Sequence, residues 1–151
     1  MVNIVTGIGP RVGSSFIMRQ CKIAGLEVHG SKYLHGVLPP EGNPGGYYDL
    51  TPIEIMKATS GVAKVWPVQY QYMIGPPAKV LVVRRLDREA QLDSIVKQAA
   101  REKHNLDAAH SIAMSEDIYQ RTFTELDVPT MEVYTEELND KLEDILTFLG
   151  D

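Results

Sequence analysis

The sequence contains little cysteine and no long apolar run. Its single cysteine, Cys21, cannot form a disulfide within the chain, which is typical of proteins from reducing compartments. No apolar stretch approaches the roughly 20 residues that a membrane-spanning helix needs. The N-terminus also lacks the basic segment, apolar stretch and small-residue cleavage site of a signal peptide. These absences predict a cytoplasmic protein with no membrane partner.

An excess of positive charge is also missing. The 151 residues carry a formal net charge of −5, with an isoelectric point near 5.4. A surface of this sign argues against general binding to nucleic acid or to anionic membranes. A small anionic ligand stays compatible with it, because a few local cations and backbone amides are enough to hold one phosphate. The length fits a single domain over residues 1–151 with a buried core.

Strand-like and helix-like segments alternate along the chain. Short apolar runs predict β-strands at residues 2–6, 62–66, 79–84 and 131–135. Amphipathic periodicity and capping signals predict helices at residues 14–25, 51–60, 88–104, 107–125 and 136–149. Thr51 and Asp87 stand at the cap positions of two of these helices. The polar segments 30–50 and 67–78 are predicted to be loops. The alternation predicts an α/β domain with a mainly parallel central sheet.

A glycine-rich segment joins the first predicted strand to the first predicted helix. Gly7, Gly9 and Gly13 are followed by Ser14 and Ser15 at the start of the helix. In a strand–loop–helix of this kind, backbone N–H groups and the positive end of the helix dipole form an anion site. The serine hydroxyls can donate further hydrogen bonds. The segment therefore predicts a cradle for a phosphate or a sulfate.

The lysine and the aspartate of nucleoside triphosphatases are missing from their expected places. In the pattern G-x-x-x-x-G-K-[ST], the lysine position is taken here by Ser14. The best candidate for the magnesium-binding strand, residues 79–83, is followed by Arg84 and Arg85 and not by aspartate. Two cations there would repel magnesium and attract an anion. Both departures argue against an ATPase or a GTPase.

Arg11 lies inside the glycine-rich loop, and two interpretations of it stay open. Its guanidinium could grip phosphate or sulfate oxygens through two parallel hydrogen bonds. Alternatively, the glycines form an ordinary turn before a helix and Arg11 is solvated, since a glycine pattern alone is a weak signal.

The stretch Pro10-Arg11-Val12-Gly13-Ser14-Ser15 resembles the P-[KR]-x-G-[ST]-[ST] loop of the sulfotransferase family. In that family the loop binds the 5′-phosphosulfate end of 3′-phosphoadenosine-5′-phosphosulfate (PAPS). Further likenesses follow in order along the chain. Residues 43–49 are similar to the family's N-P-x-G-[YF]-[YF]-E segment, and residues 79–84 to the strand that delivers its arginine. Residues 133–138 and 148–150 are similar to its closing strand and helix. The resemblance implies a P-loop-type, three-layer α/β sandwich.

The resemblance also implies a set of donor-binding residues. The residues implied around the 5′-phosphosulfate are Gly9, Pro10, Arg11, Val12, Gly13, Ser14 and Ser15. Arg84 and Ser94 would hold the 3′-phosphate that distinguishes PAPS from ATP. The interval between these two residues is longer than is usual in the family, so Arg85 is the alternative to Arg84.

Two catalytic residues follow from the same resemblance, and no metal is expected. Arg11 would stabilise the negative charge that develops during sulfuryl transfer. Family members often carry a K-x-H-x-P-like or K-x-P-like segment on the second core strand. The stretch Lys64-Val65-Trp66-Pro67 occupies that region, with Trp66 where a histidine is expected, so Lys64 is the second candidate, for a catalytic or a donor-orienting role. The alternative for Lys64 is a surface lysine beside a strand. The general base stays unidentified. His29 and His35 lie on the loop side, and a structural or solvated role is the alternative for both.

The sequence is compatible with three functions. The first is a minimal sulfotransferase-like enzyme that uses PAPS and a hydroxyl or amine acceptor. The second is a divergent P-loop nucleotide kinase or hydrolase that needs magnesium. The third is a non-catalytic module that binds a nucleotide or a protein on the same fold.

Overall fold

The computed structural model describes residues 1–30, 48–101 and 107–150. Four strands lie in these ranges: β1 (Asn3–Gly7), β2 (Val62–Lys64), β3 (Lys79–Arg84) and β4 (Thr130–Tyr134). The α-helices are α1 (Ser14–Ile23), α2 (Pro52–Lys57), α3 (Arg88–Arg101), α4 (Ala108–Thr122) and α5 (Leu138–Gly150). Two 3₁₀ turns span Pro67–Tyr72 and Thr135–Glu137. None of the helices in the described ranges combines the length and the apolar character needed to cross a bilayer.

The strands form one parallel sheet in the spatial order β2-β1-β3-β4. This arrangement confirms the predicted α/β domain with a parallel sheet. In this order β2 lies on one side of β1, and β3 lies on the other side, so the connection from β2 to β3 crosses over β1. In open parallel sheets, ligands bind beyond the carboxyl ends of the strands at such a reversal of direction. The sheet order therefore points to the carboxyl end of β1.

Both faces of the sheet are covered by apolar side chains, as the alternation along β1 illustrates. Val5 belongs to one buried cluster together with residues of α1 and α5. Its neighbour Ile4 belongs to a second cluster, which includes Ile55 of α2 and Tyr119 of α4. Because successive side chains of a strand point to opposite faces, strands buried on both sides read as continuous apolar runs.

The capping signals read from the sequence are confirmed. The Thr51 hydroxyl accepts a hydrogen bond from the Glu54 backbone N–H, and the Glu54 carboxylate accepts one from the Thr51 N–H. The Asp87 carboxylate accepts a hydrogen bond from the Ala90 N–H at the start of α3. These bonds satisfy N–H groups that have no partner within a helix.

Several predicted boundaries differ from the structure. Residues 67–72 of the predicted 67–78 loop form a 3₁₀ turn that packs against α2 and α4. The last helix begins two residues later than predicted, because residues 135–137 form a tighter turn first. Residues 31–47 of the predicted 30–50 loop and residues 102–104 of the third predicted helix lie outside the described residues.

Candidate functional site

The glycine-rich loop between β1 and α1 depends on three residues with positive φ. Gly9 has a φ of 81°, Arg11 of 64° and Gly13 of 96°. Glycine adopts this left-handed region readily, whereas a residue with a side chain does so at a cost of about 1 kcal/mol or more. A Cβ atom at Gly9 would also lie 2.9 Å from Nε2 of Gln91. The two glycines are thus required by the path of the loop, and Arg11 takes a strained conformation within it.

Gln91 of α3 supports the loop from behind. Its side chain is fully buried, and its Nε2 donates hydrogen bonds to the carbonyl oxygens of Ile8 and Pro10, both at 3.0 Å. Across each trans peptide plane, the N–H of the following residue points the opposite way. The amide donors of Gly9 and Arg11 are therefore turned away from Gln91.

Two further side chains hold the next carbonyl groups in the same manner. Nη1 of Arg85 donates to the carbonyl oxygen of Arg11 at 3.1 Å. The Thr135 hydroxyl donates to the carbonyl oxygen of Val12 at 2.6 Å. The loop carbonyls are engaged by side chains that follow β3 and β4. The N–H groups at the start of α1 have no intrahelical acceptor and are available to an anion.

A cavity of about 550 Å³ opens beside this loop. It is bounded by residues that follow β1, β2, β3 and β4, at the shared carboxyl edge of the sheet. The residues that line it are Pro10, Arg11, Gly13, Ser14, Ser15, Phe16, Arg19, Asp49, Lys64, Trp66, Arg85, Ser94, Gln98 and Thr135. Within this lining, four side chains are cationic (Arg11, Arg19, Lys64 and Arg85) and one is a carboxylate, so the lining is locally cationic although the whole chain is acidic.

Lys64 stands at the end of β2 and is 2% exposed. Its Nζ lies 2.6 Å from Oδ1 of Asp49 and donates to the Ser15 hydroxyl at 3.1 Å. The same ammonium lies 5.4 Å from the ring centroid of Trp66, within the range of a cation–π contact. Burial lowers the pKa of Lys64, and the neighbouring Asp49 opposes that shift.

Arg11 connects the two halves of the predicted site. Its Nε donates to the Ser94 hydroxyl at 2.9 Å. Ser94 lies on α3, 83 positions further along the chain. The loop predicted at the 5′-phosphosulfate and the serine predicted at the 3′-phosphate thus meet in one cavity.

Arg84 lies away from this cavity. Its guanidinium forms ion pairs with Glu116, at 2.8 Å, and with Glu132, and it stacks 5.2 Å from the ring centroid of Tyr119. Burial alone would lower the pKa of Arg84, but the two carboxylates raise it. Of the two arginines that the sequence left open, Arg85 lines the cavity and Arg84 does not.

The remaining predicted site residues divide into two groups. Pro10, Gly13, Ser14 and Ser15 line the cavity with Arg11, Lys64, Arg85 and Ser94. Gly9 and Val12 lie behind the lining, since Gly9 faces Gln91 and Val12 belongs to the apolar core. Two histidines were considered as the general base. His29 is hydrogen-bonded to the carbonyl oxygen of Ser60 and does not line the cavity. His35 lies outside the described residues.

Several side chains at the site escaped prediction from the sequence. They are Arg19, Asp49, Gln91, Gln98 and Thr135. Thr135 and Asp49 stand in segments that resemble the sulfotransferase family, so that likeness was the available signal for them. Gln91 carries no local signal for this role, because the two loop carbonyl groups to which it donates lie more than 80 positions away in sequence.

Comparison with known proteins gives no assignment. No protein-family model matches the chain, and no curated protein matches it significantly. Within the described residues, no group of three or more His, Cys, Asp or Glu side chains lies together in a geometry that could hold a metal ion.

Proposed function

We propose that the protein is a small sulfotransferase-like enzyme, built on a P-loop-type three-layer sandwich and located in the cytoplasm. It would transfer a sulfuryl group from PAPS to a hydroxyl or amine acceptor. One observation carries this proposal. Residues that the family resemblance assigns to both ends of PAPS, from distant parts of the chain, line a single cationic cavity, and Arg11 is hydrogen-bonded to Ser94 within it.

The lining fits a ligand with two anionic ends. Arg11, Ser14, Ser15 and the amides at the start of α1 would hold the 5′-phosphosulfate. Arg85 and Ser94 lie toward α3 and would hold the 3′-phosphate. Recognition of the 3′-phosphate would let the site discriminate PAPS from ATP, because ATP has no 3′-phosphate that could bind Arg85 and Ser94.

The chemical step requires charge stabilisation on the leaving group. The acceptor oxygen or nitrogen attacks sulfur, and the bond from sulfur to the bridging oxygen of the phosphate breaks. Arg11 and Lys64 would stabilise the negative charge on that oxygen. Lys64 is also the better proton donor of the two, since burial lowers its pKa whereas a guanidinium scarcely loses its proton.

The deciding experiment is isothermal titration calorimetry with adenosine 3′,5′-bisphosphate and with ATP, each with and without magnesium. We expect the bisphosphate to bind without metal and much more tightly than ATP. Arg11→Ala removes a charge-assisted contact and should weaken binding by about 10- to 100-fold. Arg121→Ala is the matched control, because Arg121 lies exposed on α4 and pairs there with Asp117.

The alternative functions predict different results in the same experiment. ATP binding that requires magnesium, with weak binding of the bisphosphate, would indicate a nucleotide kinase or hydrolase. Binding of neither ligand would contradict the enzyme proposal and indicate a module that acts through a protein partner. If the bisphosphate binds, incubation with PAPS and a panel of phenols, alcohols and amines tests the transfer itself.

A further inference from the structure

The described lining of the cavity offers one carboxylate and no imidazole. Asp49 is the only Asp or Glu in that lining, and histidine, tyrosine and cysteine do not occur in it. At the position where the family resemblance leads one to expect a histidine, the chain has Trp66, whose indole accepts no proton. Transfer to a hydroxyl nevertheless requires an acceptor for the hydroxyl proton.

We propose that Asp49 is the general base of this site and that Lys64 holds it in position. This inference rests on the proposed function, since it assigns the proton acceptor for the same sulfuryl transfer. It identifies a catalytic residue that neither the glycine-rich loop nor the histidines of the sequence indicate.

The geometry of the ion pair suits this role. Oδ1 of Asp49 lies 2.6 Å from the Lys64 ammonium, and the side chains are 33% and 2% exposed respectively. The lysine is therefore enclosed, while a third of the Asp49 side chain is exposed and the residue lines the cavity. Lys64 also donates to Ser15 at the start of α1, so the base, the cation and the loop hydroxyl lie together.

The backbone around Asp49 is held on both sides. Tyr48 is 3% exposed and Leu50 is 5% exposed, so both neighbours are anchored in the apolar core. Tyr48 has a φ of 58°, a conformation that a bulky residue adopts only where packing enforces it. The Leu50 carbonyl oxygen accepts a hydrogen bond from Gln69 at 3.1 Å. A carboxylate on such a rigid support keeps its position, as a general base must.

The proposed step conserves atoms and charge. The acceptor oxygen forms a bond to sulfur while its proton passes to the Asp49 carboxylate. The bond between sulfur and the bridging oxygen breaks, and its electron pair leaves with adenosine 3′,5′-bisphosphate. Protonated Asp49 then has no charge to offer Lys64, whose ammonium can turn to the leaving phosphate. The proton returns to solvent through the exposed part of the carboxyl group.

The other charged side chains in the described lining of the cavity are cations. Lys64 comes from β2, Arg11 from the glycine-rich loop, Arg19 from α1, and Arg85 from the end of β3. The lining thus places one carboxylate, the proposed proton acceptor, among four cations that would hold the anionic donor.

The test compares two acceptors with wild type and Asp49→Asn. Phenol needs a base at neutral pH, whereas 4-nitrophenol is already largely ionised in mildly alkaline buffer. We expect Asp49→Asn to lower kcat with phenol by about 10²- to 10⁴-fold and to affect 4-nitrophenol much less. The dissociation constant of adenosine 3′,5′-bisphosphate should stay within about threefold or improve, because a negative charge is removed from an anion site.

Two further variants separate catalysis from structure. Asp117→Asn, on the exposed face of α4, is the matched control and should leave both acceptors unaffected. Asp49→Glu keeps the carboxylate and should retain part of the phenol activity, and it serves as the test variant if Asp49→Asn does not fold. Equal losses with both acceptors, or loss of bisphosphate binding, would contradict the inference, because a residue that only organises Lys64 affects both acceptors alike.

Failure of the proposed function is distinguishable from failure of this inference. A wild-type protein that does not bind the bisphosphate, or that transfers sulfate to no member of the panel of phenols, alcohols and amines, contradicts both. A wild-type enzyme that binds and transfers, with an Asp49→Asn variant equally active toward phenol, contradicts only the role of Asp49.

Discussion

Arg84 and Arg85 are neighbours in sequence, yet their side chains leave the end of β3 in different directions. Arg84 turns toward α4 and is enclosed by Glu116, Glu132 and Tyr119. Arg85 turns to the cavity and donates to the Arg11 carbonyl oxygen. Successive residues of an extended strand point to opposite faces, so only one of two adjacent arginines can reach a ligand.

This difference predicts that one substitution lowers the stability of the protein and that the other lowers its affinity for the ligand. Arg84→Ala leaves Glu116 and Glu132 without their cation and should lower the free energy of unfolding by about 1–2 kcal/mol, a value reduced because these side chains are 38% and 44% exposed. Its affinity for adenosine 3′,5′-bisphosphate should not change.

Arg85→Ala should weaken that affinity about tenfold or more, because it removes a charge-assisted contact to phosphate. Urea denaturation and calorimetry measure the two effects. Loss of affinity in Arg84→Ala alone would assign the 3′-phosphate to Arg84.

At the scale of elements, the glycine-rich loop is held by segments that follow other strands. Gln91 on α3 and Thr135 after β4 bond its carbonyl oxygens. Glu136 accepts hydrogen bonds from the backbone N–H groups of Leu86 and Asp87, at 3.1 and 3.2 Å. Burial raises the pKa of Glu136, but these hydrogen bonds lower it, and the net shift is downward. The segments after β3 and β4 are therefore joined to each other as well as to the loop.

The role of Gln91 predicts a coupled loss of stability and binding. Gln91→Leu keeps the volume of the side chain and leaves the buried carbonyl groups of Ile8 and Pro10 without their donor. The free energy of unfolding should fall by about 1–3 kcal/mol, and affinity for the bisphosphate should fall with it as the loop relaxes. Gln120→Leu, on the exposed surface of α4, is the control and should change stability by no more than about 0.5 kcal/mol. Equal behaviour of the two variants in urea denaturation and calorimetry would show that Gln91 does not shape the loop.

At the scale of the whole molecule, net charge and local charge have opposite signs. The chain carries a formal charge of −5, while the described lining of the cavity contains four cations and one carboxylate. Charges of the two signs are therefore separated in space, with these cations gathered at the carboxyl edge of the sheet. A buried thiol in the core also makes the stability of the whole molecule depend on pH.

Cys21 of α1 is buried in the core, and burial raises the pKa of its thiol from 9.0 to about 11. The unfolded chain therefore loses this proton at lower pH than the folded chain does. The stabilising contribution is complete below pH 9 and is lost as pH rises from 9 to about 11. Relative to Cys21→Ala, the wild-type free energy of unfolding should fall over this window by up to about 2–3 kcal/mol.

Urea denaturation of both proteins at a series of pH values from neutral to alkaline measures this difference. Tyrosines and lysines titrate in the same range, but they do so in both proteins, so the difference between the two curves isolates the thiol. Curves that stay parallel throughout the alkaline range would contradict the predicted shift.

Local signals account for the parts of the fold that the sequence predicts well. The capping box at Thr51 and the cap at Asp87 involve partners three residues away, and both are present in the structure. Apolar runs identify β1 and β3, because strands buried on both faces have few polar residues. Boundaries were less predictable where a 3₁₀ turn replaced a loop or the first turn of a helix, since these states differ little in composition.

The sequence by itself determined the parallel α/β architecture, the glycine-rich loop before α1, and the residue types that an anion site needs. Only the tertiary structure decided that Arg85 and not Arg84 enters the cavity, that Asp49 lies against Lys64, and that Gln91 supports the loop. The physical reason is the range of the interactions. Caps and periodicity act over a few residues, whereas the partners of the site are separated by 15 to more than 80 positions and meet only when the sheet brings the strand ends together.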